Sequence, residues 1–303
     1  MTGSGTVAHR PLAVVSALVV LLGLLLIGNG PADAATGYHR YVALGDSYAS
    51  GPFIPDQVGT PFGCFRSNHN YPSLVARGLG VGSFTDISCG GAATPDMTGS
   101  QSVLFGSNPP QFSALRPDTD LVTVSIGGND IGFGGILLTC GSESLLNPFG
   151  SPCANHYGDQ LSQRIAATAP KVGAVLAGIH QRAPRARVVL VGYLRILPPS
   201  GGCWPVVPIS RGDVPYLDSV EQQLNGMLAQ QAAGHGATFV NPYAVSLGHD
   251  VCQAPWTKWV EGIVPTSPAF PVHPNATGMN VVANQVLAGL GATARTAQPS
   301  GTS

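Results

Sequence analysis

Tyr41-Val42-Ala43-Leu44-Gly45-Asp46-Ser47 is a short β-prone apolar run that stops at a Gly-Asp-Ser turn, the way a buried strand ends in a functional loop. The pattern returns downstream. Asn70 to Leu79 carries apolar residues at helical spacing through Tyr71, Leu74, Val75 and Leu79, and Phe84 to Ser88 then reads as a second strand ending at Cys89-Gly90-Gly91. Leu121 to Ile126 is a third, clearer strand, closed by Gly127-Gly128-Asn129-Asp130. Gly-bearing turns after successive strands suggest loops gathered on one edge of a sheet.

The rest of the chain continues the alternation. Gly158 to Arg182 has helical apolar spacing, with Pro170 expected to kink or break it. Arg187 to Tyr193 is a β-branched fourth strand, Val214 to Ala233 a helix, Thr238 to Val240 a short fifth strand and Asn275 to Leu290 the last helix. Such alternation predicts an α/β fold, a five-stranded parallel sheet with helices on both faces that binds ligands outside the carboxyl ends of its strands. No internal repeat interrupts it. The stretches Cys140 to Cys153 and Leu197 to Val214 are too long and too rich in Pro and Gly for simple turns, and are expected to shape a rim or access channel.

The 303 residues are 44% hydrophobic with a net charge of -1, which suffices for one core and argues against a nucleic-acid partner. Charged residues make up only 10%, against roughly 25% in ordinary soluble proteins, so the surface should be polar and nearly neutral. His9 and Arg10, the apolar run from Leu12 to Ile27 and the small-residue site Ala32-Asp33-Ala34 read as a secretory signal peptide over 1–34, cleaved near Ala34. The alternative is a retained membrane anchor. Residues 35–291 then form a single domain and 292–303 a disordered tail, and the mature chain is secreted.

An even count of cysteines in an exported chain favours disulfides over metal ligands, and no C-x-x-C pair argues for zinc. Six cysteines allow 15 connectivities, among which spacing alone does not choose. Pairing neighbours in order makes three separate staples with loops of modest length, and the expectation is Cys64 with Cys89, Cys140 with Cys153 and Cys203 with Cys252.

Four short elements could carry chemistry. A serine on the tight turn Gly45-Asp46-Ser47 presents its hydroxyl at the sheet edge, although Gly-Asp-Ser turns are also common for purely conformational reasons. In Gly127-Gly128-Asn129-Asp130 an amide can donate to a developing oxyanion, and in Cys89-Gly90-Gly91-Ala92 an unobstructed backbone N–H can do the same. Either could equally be a glycine-bearing loop. In Pro271-Val272-His273-Pro274-Asn275 an imidazole stands at a helix start, yet local chemistry does not select His273 over His69 or His249. Asp46 and Asp130 read as turn-satisfying carboxylates.

Taken in order, Gly-Asp-Ser, Gly, Gly-x-Asn-Asp and His-Pro resemble the blocks of the GDSL or SGNH hydrolases, over nearly the whole span from Tyr41 to about Leu290. With its cysteines and export signal, the chain is most similar to the secreted actinobacterial lipases, esterases and phospholipases that hold three disulfides. The resemblance implies a flavodoxin-like three-layer fold and a carboxylic ester hydrolase. It makes Ser47 the nucleophile, His273 its base, and Ser47 N–H, Gly91 N–H and the Asn129 side chain the oxyanion donors. Gly90 competes for the glycine role, but Gly91 stands in the Gly91-Ala92-Ala93-Thr94 context of related enzymes.

Many members place an Asp three residues before the histidine, where this chain has Phe270. Others use a Ser-His dyad oriented by a backbone carbonyl two residues before the histidine, here Pro271, and a dyad is expected. Neither metal nor organic cofactor is called for. The expected partner is an ester or lipid substrate, met as a monomer with transient contact at a lipid surface. A carbohydrate or small-acyl esterase would share every residue named, and a non-catalytic secreted binding module on the same scaffold is the alternative outside catalysis. The sequon Asn275-Ala276-Thr277 is read as coincidental, since a glycan there would crowd the site.

Overall fold

In the computed structural model of the chain, which describes residues 1–5 and 37–292, Arg40–Gly45 forms strand β1. The apolar run and cleavage site of the signal segment, and the tail past residue 292, lie outside the described residues. Tyr41, Val42, Ala43 and Leu44 are at most 1% exposed. Burial of successive residues means that both faces of the strand are covered, the mark of a parallel sheet between helix layers. The Tyr41 hydroxyl is kept in this interior by a 2.7 Å hydrogen bond with Thr123 Oγ1.

The other strands of the main sheet are β2 (Ser83–Asp86), β3 (Leu121–Ser125), β4 (Arg187–Val191) and β5 (Thr238–Val240). All five run parallel in the order β2-β1-β3-β4-β5. This is the flavodoxin-like order: the chain leaves β1 toward one edge and returns to β3 on its other side, opening a crevice at the carboxyl ends of β1 and β3. The Gly-Asp-Ser and Gly-Gly-Asn-Asp turns leave the sheet there.

Helices α1 (Ser47–Ser50), α2 (Tyr71–Leu79), α3 (Phe133–Leu146), α4 (Pro152–Tyr157), α5 (Gln160–Arg182), α6 (Val214–Gly234) and α7 (Ala276–Gly289) complete the layers. α2 packs against α7, and α5 against α6. Asn70 caps α2 by accepting from Ser73 N–H at 2.9 Å, and Gly80, at φ 63°, closes it in the left-handed conformation.

The helices depart from the sequence reading in two places, the first being that the break allowed for at Pro170 is absent. Pro170 neither ends nor splits α5, because it and Ala166, whose carbonyl its missing N–H would have served, both lie on the exposed face. The freed carbonyl can turn to water. The stretch Cys140 to Cys153 is largely helical: Ile136, Cys140 and Ser144, spaced four apart, form the narrow buried stripe of α3, while Leu138 and Leu146 are exposed. With apolar residues on all sides and three glycines, α3 carries no amphipathic signal to read. Leu197 to Asp213 is irregular, as its Pro and Gly content requires. The cysteines pair as Cys64–Cys89, Cys140–Cys153 and Cys203–Cys252.

Candidate active site

The Gly-Asp-Ser turn is built by close approach of backbones. Gly45 has φ +140°, and a Cβ on it would lie 2.6 Å from Ser125 O, so only glycine lets β1 end against β3 in this way. Asp46 N–H donates to Ser125 O at 2.9 Å, and Asp46 Oδ1 accepts from Tyr48 N–H at 2.9 Å, capping α1. Ser47 therefore opens a helical turn, with its own N–H donating to no protein acceptor among the described residues.

Asp46 does more than cap. Its Oδ2 accepts from Tyr193 OH at 2.6 Å, and the same phenol oxygen accepts from Gly128 N–H at 2.9 Å. Burial lifts Asp46 to about 7, against the pull of its bonds to Tyr193 and Tyr48. The chain Asp46–Tyr193–Gly128 thus locks the Gly127-to-Asp130 loop to the Gly-Asp-Ser turn. Asn129 Nδ2 donates to Ala92 O at 2.8 Å, which fixes its amide plane and leaves its second amide hydrogen free. Asp130 ties the same loops together by accepting from Thr94 N–H at 3.0 Å.

Of the two competing glycines, Gly90 spends its N–H on Cys64 O at 3.0 Å, over the Cys64–Cys89 disulfide. Gly91, at φ +78°, has an N–H with no protein acceptor among the described residues.

His273 is 7% exposed and lies between two oxygens: Nε2 is 2.7 Å from Ser47 Oγ and Nδ1 is 2.9 Å from Pro271 O. A carbonyl can only accept, so Nδ1 carries the hydrogen and Nε2 is left to accept from the serine. Burial depresses the ring to about 4, against the Pro271 bond that raises it, so the imidazole is neutral at ordinary pH. No carboxylate among the described residues touches Nδ1; Phe270 sets its ring edge-on to the imidazole, 5.2 Å between centroids.

The loop that aims this ring is held by residues that sequence reasoning missed. Val272 adopts φ 61°, an uncommon conformation for a β-branched residue, and its carbonyl accepts from Tyr48 OH at 2.9 Å. Glu261 N–H donates to His273 O at 2.9 Å, and Val272 N–H returns to Glu261 O at 3.1 Å. The wholly buried Glu261 carboxylate then accepts from Asn275 Nδ2 (2.9 Å), Thr266 N–H (2.7 Å) and Lys258 Nζ (3.1 Å). Burial pushes Glu261 up, but these bonds outweigh it and hold the carboxyl below the usual range. Asn275 also caps α7 by accepting from Gly278 N–H at 3.0 Å, so the sequon asparagine is a buried structural amide. The only sequence signal for this hub was the Lys258/Glu261 spacing, which is common on any surface turn. His249 stacks on Trp259, 3.6 Å between centroids, with Nδ1 on Thr257 O.

Ser47 and Asn129 both line an apolar pocket walled by Ile131, Phe133, Ile136, Leu137 and the α6 residues Leu217 and Leu224. Gly91 is not on that wall and joins the site through the Asn129–Ala92 bond. The arrangement provides a hydroxyl activated by a neutral imidazole, unspent N–H donors beside it and an apolar slot leading away. That is the equipment of acyl transfer.

A family model described as the GDSL-like lipase/acylhydrolase family matches residues 43–281. Lipase 2 of Streptomyces coelicolor is 38% identical over 289 residues, covering 92% of this chain and 97% of that protein. Among solved structures, phospholipase A1 from Streptomyces albidoflavus superposes with a TM-score of 0.69 at 28% identity, covering 83% of this chain and 99% of that one. An extracellular lipase from Streptomyces rimosus gives 0.68 at 29% identity, with 84% and 100% covered.

Proposed function

The chain belongs to the GDSL-like lipase/acylhydrolase family and is a carboxylic ester hydrolase; from that premise we propose that it is an exported enzyme cleaving lipid acyl esters through a Ser47–His273 dyad. The observation that carries the dyad is the single imidazole held between Ser47 Oγ at 2.7 Å and Pro271 O at 2.9 Å. His273 Nε2 takes the serine proton as Oγ attacks the ester carbonyl. The oxyanion of the tetrahedral intermediate accepts from Ser47 N–H, Gly91 N–H and the free Asn129 amide hydrogen, each such donor being worth about 10²–10³ in turnover. Collapse expels the alcohol with the proton from His273, and water, deprotonated by the same ring, cleaves the acyl-enzyme. The Pro271 carbonyl fixes the tautomer but brings no full charge to steady the imidazolium.

A lipid acyl substrate is supported by the apolar slot at Ser47 and by relatives named as lipases and a phospholipase. Export is supported by the signal-like N-terminus, by all six cysteines being paired, and by the relative described as extracellular. The test is hydrolysis of p-nitrophenyl esters from acetyl to palmitoyl by the oxidised protein, with Ser47→Ala as control. Medium or long chains should be preferred, and Ser47→Ala should retain no measurable turnover. Activity confined to acetyl would make the enzyme a small-acyl esterase, and activity surviving in Ser47→Ala would remove the dyad.

A further inference from the structure

On α6 the residues facing the apolar slot follow helical spacing: Leu217, Val220, Glu221 and Leu224. Hydrocarbon is what that stripe demands, yet one of its positions is a glutamate, 9% exposed and on the wall of the pocket that starts at Ser47. Oε2 of Glu221 accepts from Ile196 N–H at 3.0 Å, whereas Oε1 has no partner among the described residues. A buried carboxyl oxygen left unpaired is costly and asks for a reason.

The other polar side chains of the wall each have a partner, and the one amide hydrogen left free, on Asn129, belongs to the oxyanion site. Asp46 and Tyr193 bond each other, Tyr48 OH serves Val272 O, and Asn129 Nδ2 serves Ala92 O. The nearby Arg195 bonds Asp218, which lies one turn before Glu221 on α6, through Nη1, while its buried Nε has no partner among the described residues. Burial lifts the Glu221 carboxyl to about 8, so at neutral pH it holds its proton and can donate a hydrogen bond.

We propose that Glu221 makes the acyl slot selective for oxygenated acyl chains, those bearing a keto or hydroxy oxygen part-way along, over plain alkyl chains of equal length. The inference rests on the reading of Ser47 as the nucleophile at the mouth of this slot. A chain oxygen at the right depth accepts from the carboxyl and satisfies it, while a methylene there leaves it unpaired. Selectivity of this kind is sharper than any that length alone provides, since an apolar wall discriminates weakly between chains of similar bulk.

The test is a scan of methyl octanoate and its keto derivatives, with the ketone moved one carbon at a time, followed by pH-stat at neutral pH. The wild-type protein should show one ketone position with kcat/KM about tenfold above the parent ester, the size of one net buried hydrogen bond. Glu221→Met should bring that ratio to one or below. Glu221→Gln, whose amide can accept from Ile196 N–H and still donate, should keep part of the preference, which a merely structural role would not predict. A flat wild-type scan overturns the proposal without needing any variant, and so does a preferred position that survives in Glu221→Met. If methyl octanoate itself is not hydrolysed, or is hydrolysed by Ser47→Ala, the nucleophile reading fails and the inference falls with it.

Discussion

His273 is oriented by an atom that every residue possesses, and its basicity is set by the packing around it. Its pKa, lowered by burial to about 4 in the folded chain, lies below the ordinary value of about 6.5. In the proposed dyad the ring acts only when neutral, so kcat/KM for a soluble ester should hold from neutral pH down through 5 and be lost only as pH falls through about 4. A pH-rate profile with its acid limb near the ordinary histidine value would mean that the ring is open to water. Stability follows the same sign: across the window between the two values the unfolded chain takes up a proton that the folded one refuses, and folding weakens as pH falls. The residues that meet in the site are largely those the ordered motifs single out, because each motif is a local turn with its own glycine, serine or proline. Tyr193 and Glu261 were illegible for the opposite reason. Tyr193 bonds Asp46 across 147 residues of sequence, and no local pattern marks such a partner.

At the level of elements, strands were easier to read than helices. β1, β3 and β4 announce themselves as short β-prone runs with a glycine at or just past their ends, whereas α3 is apolar all round and hides its period. α5 was read correctly in extent but not in continuity, since the cost of a proline depends on which side of the helix it faces. Pro170 faces water, so nothing packs against the site of a replacement. Pro170→Ala should restore the missing N–H and raise the stability of the protein by about 1–3 kcal/mol, read as a higher urea midpoint with activity unchanged. An unchanged or lower midpoint would show that the helix had already relaxed fully around the ring.

Over the whole molecule, the sheet and its helix layers follow from the alternation of segments, while the irregular stretch around Cys203 owes its place to a covalent tie. The Cys203–Cys252 bond closes a loop of 49 residues, which the chain-entropy relation values at about 4 kcal/mol. A Cys203→Ala/Cys252→Ala double variant should lose stability of that order in urea, and a loss near zero would mean that the loop is held by packing alone. All three covalent loops begin after Ser47 and end before His273. Among the described residues, Ser47 and His273 are held together across the fold by non-covalent contacts such as Tyr48 OH to Val272 O and Phe270 N–H to Pro52 O. With the proposed dyad, turnover becomes a gauge of whether the last segment of the chain is still seated: a molecule that keeps every crosslink and most of its sheet should fall silent when that segment leaves, then recover as it returns.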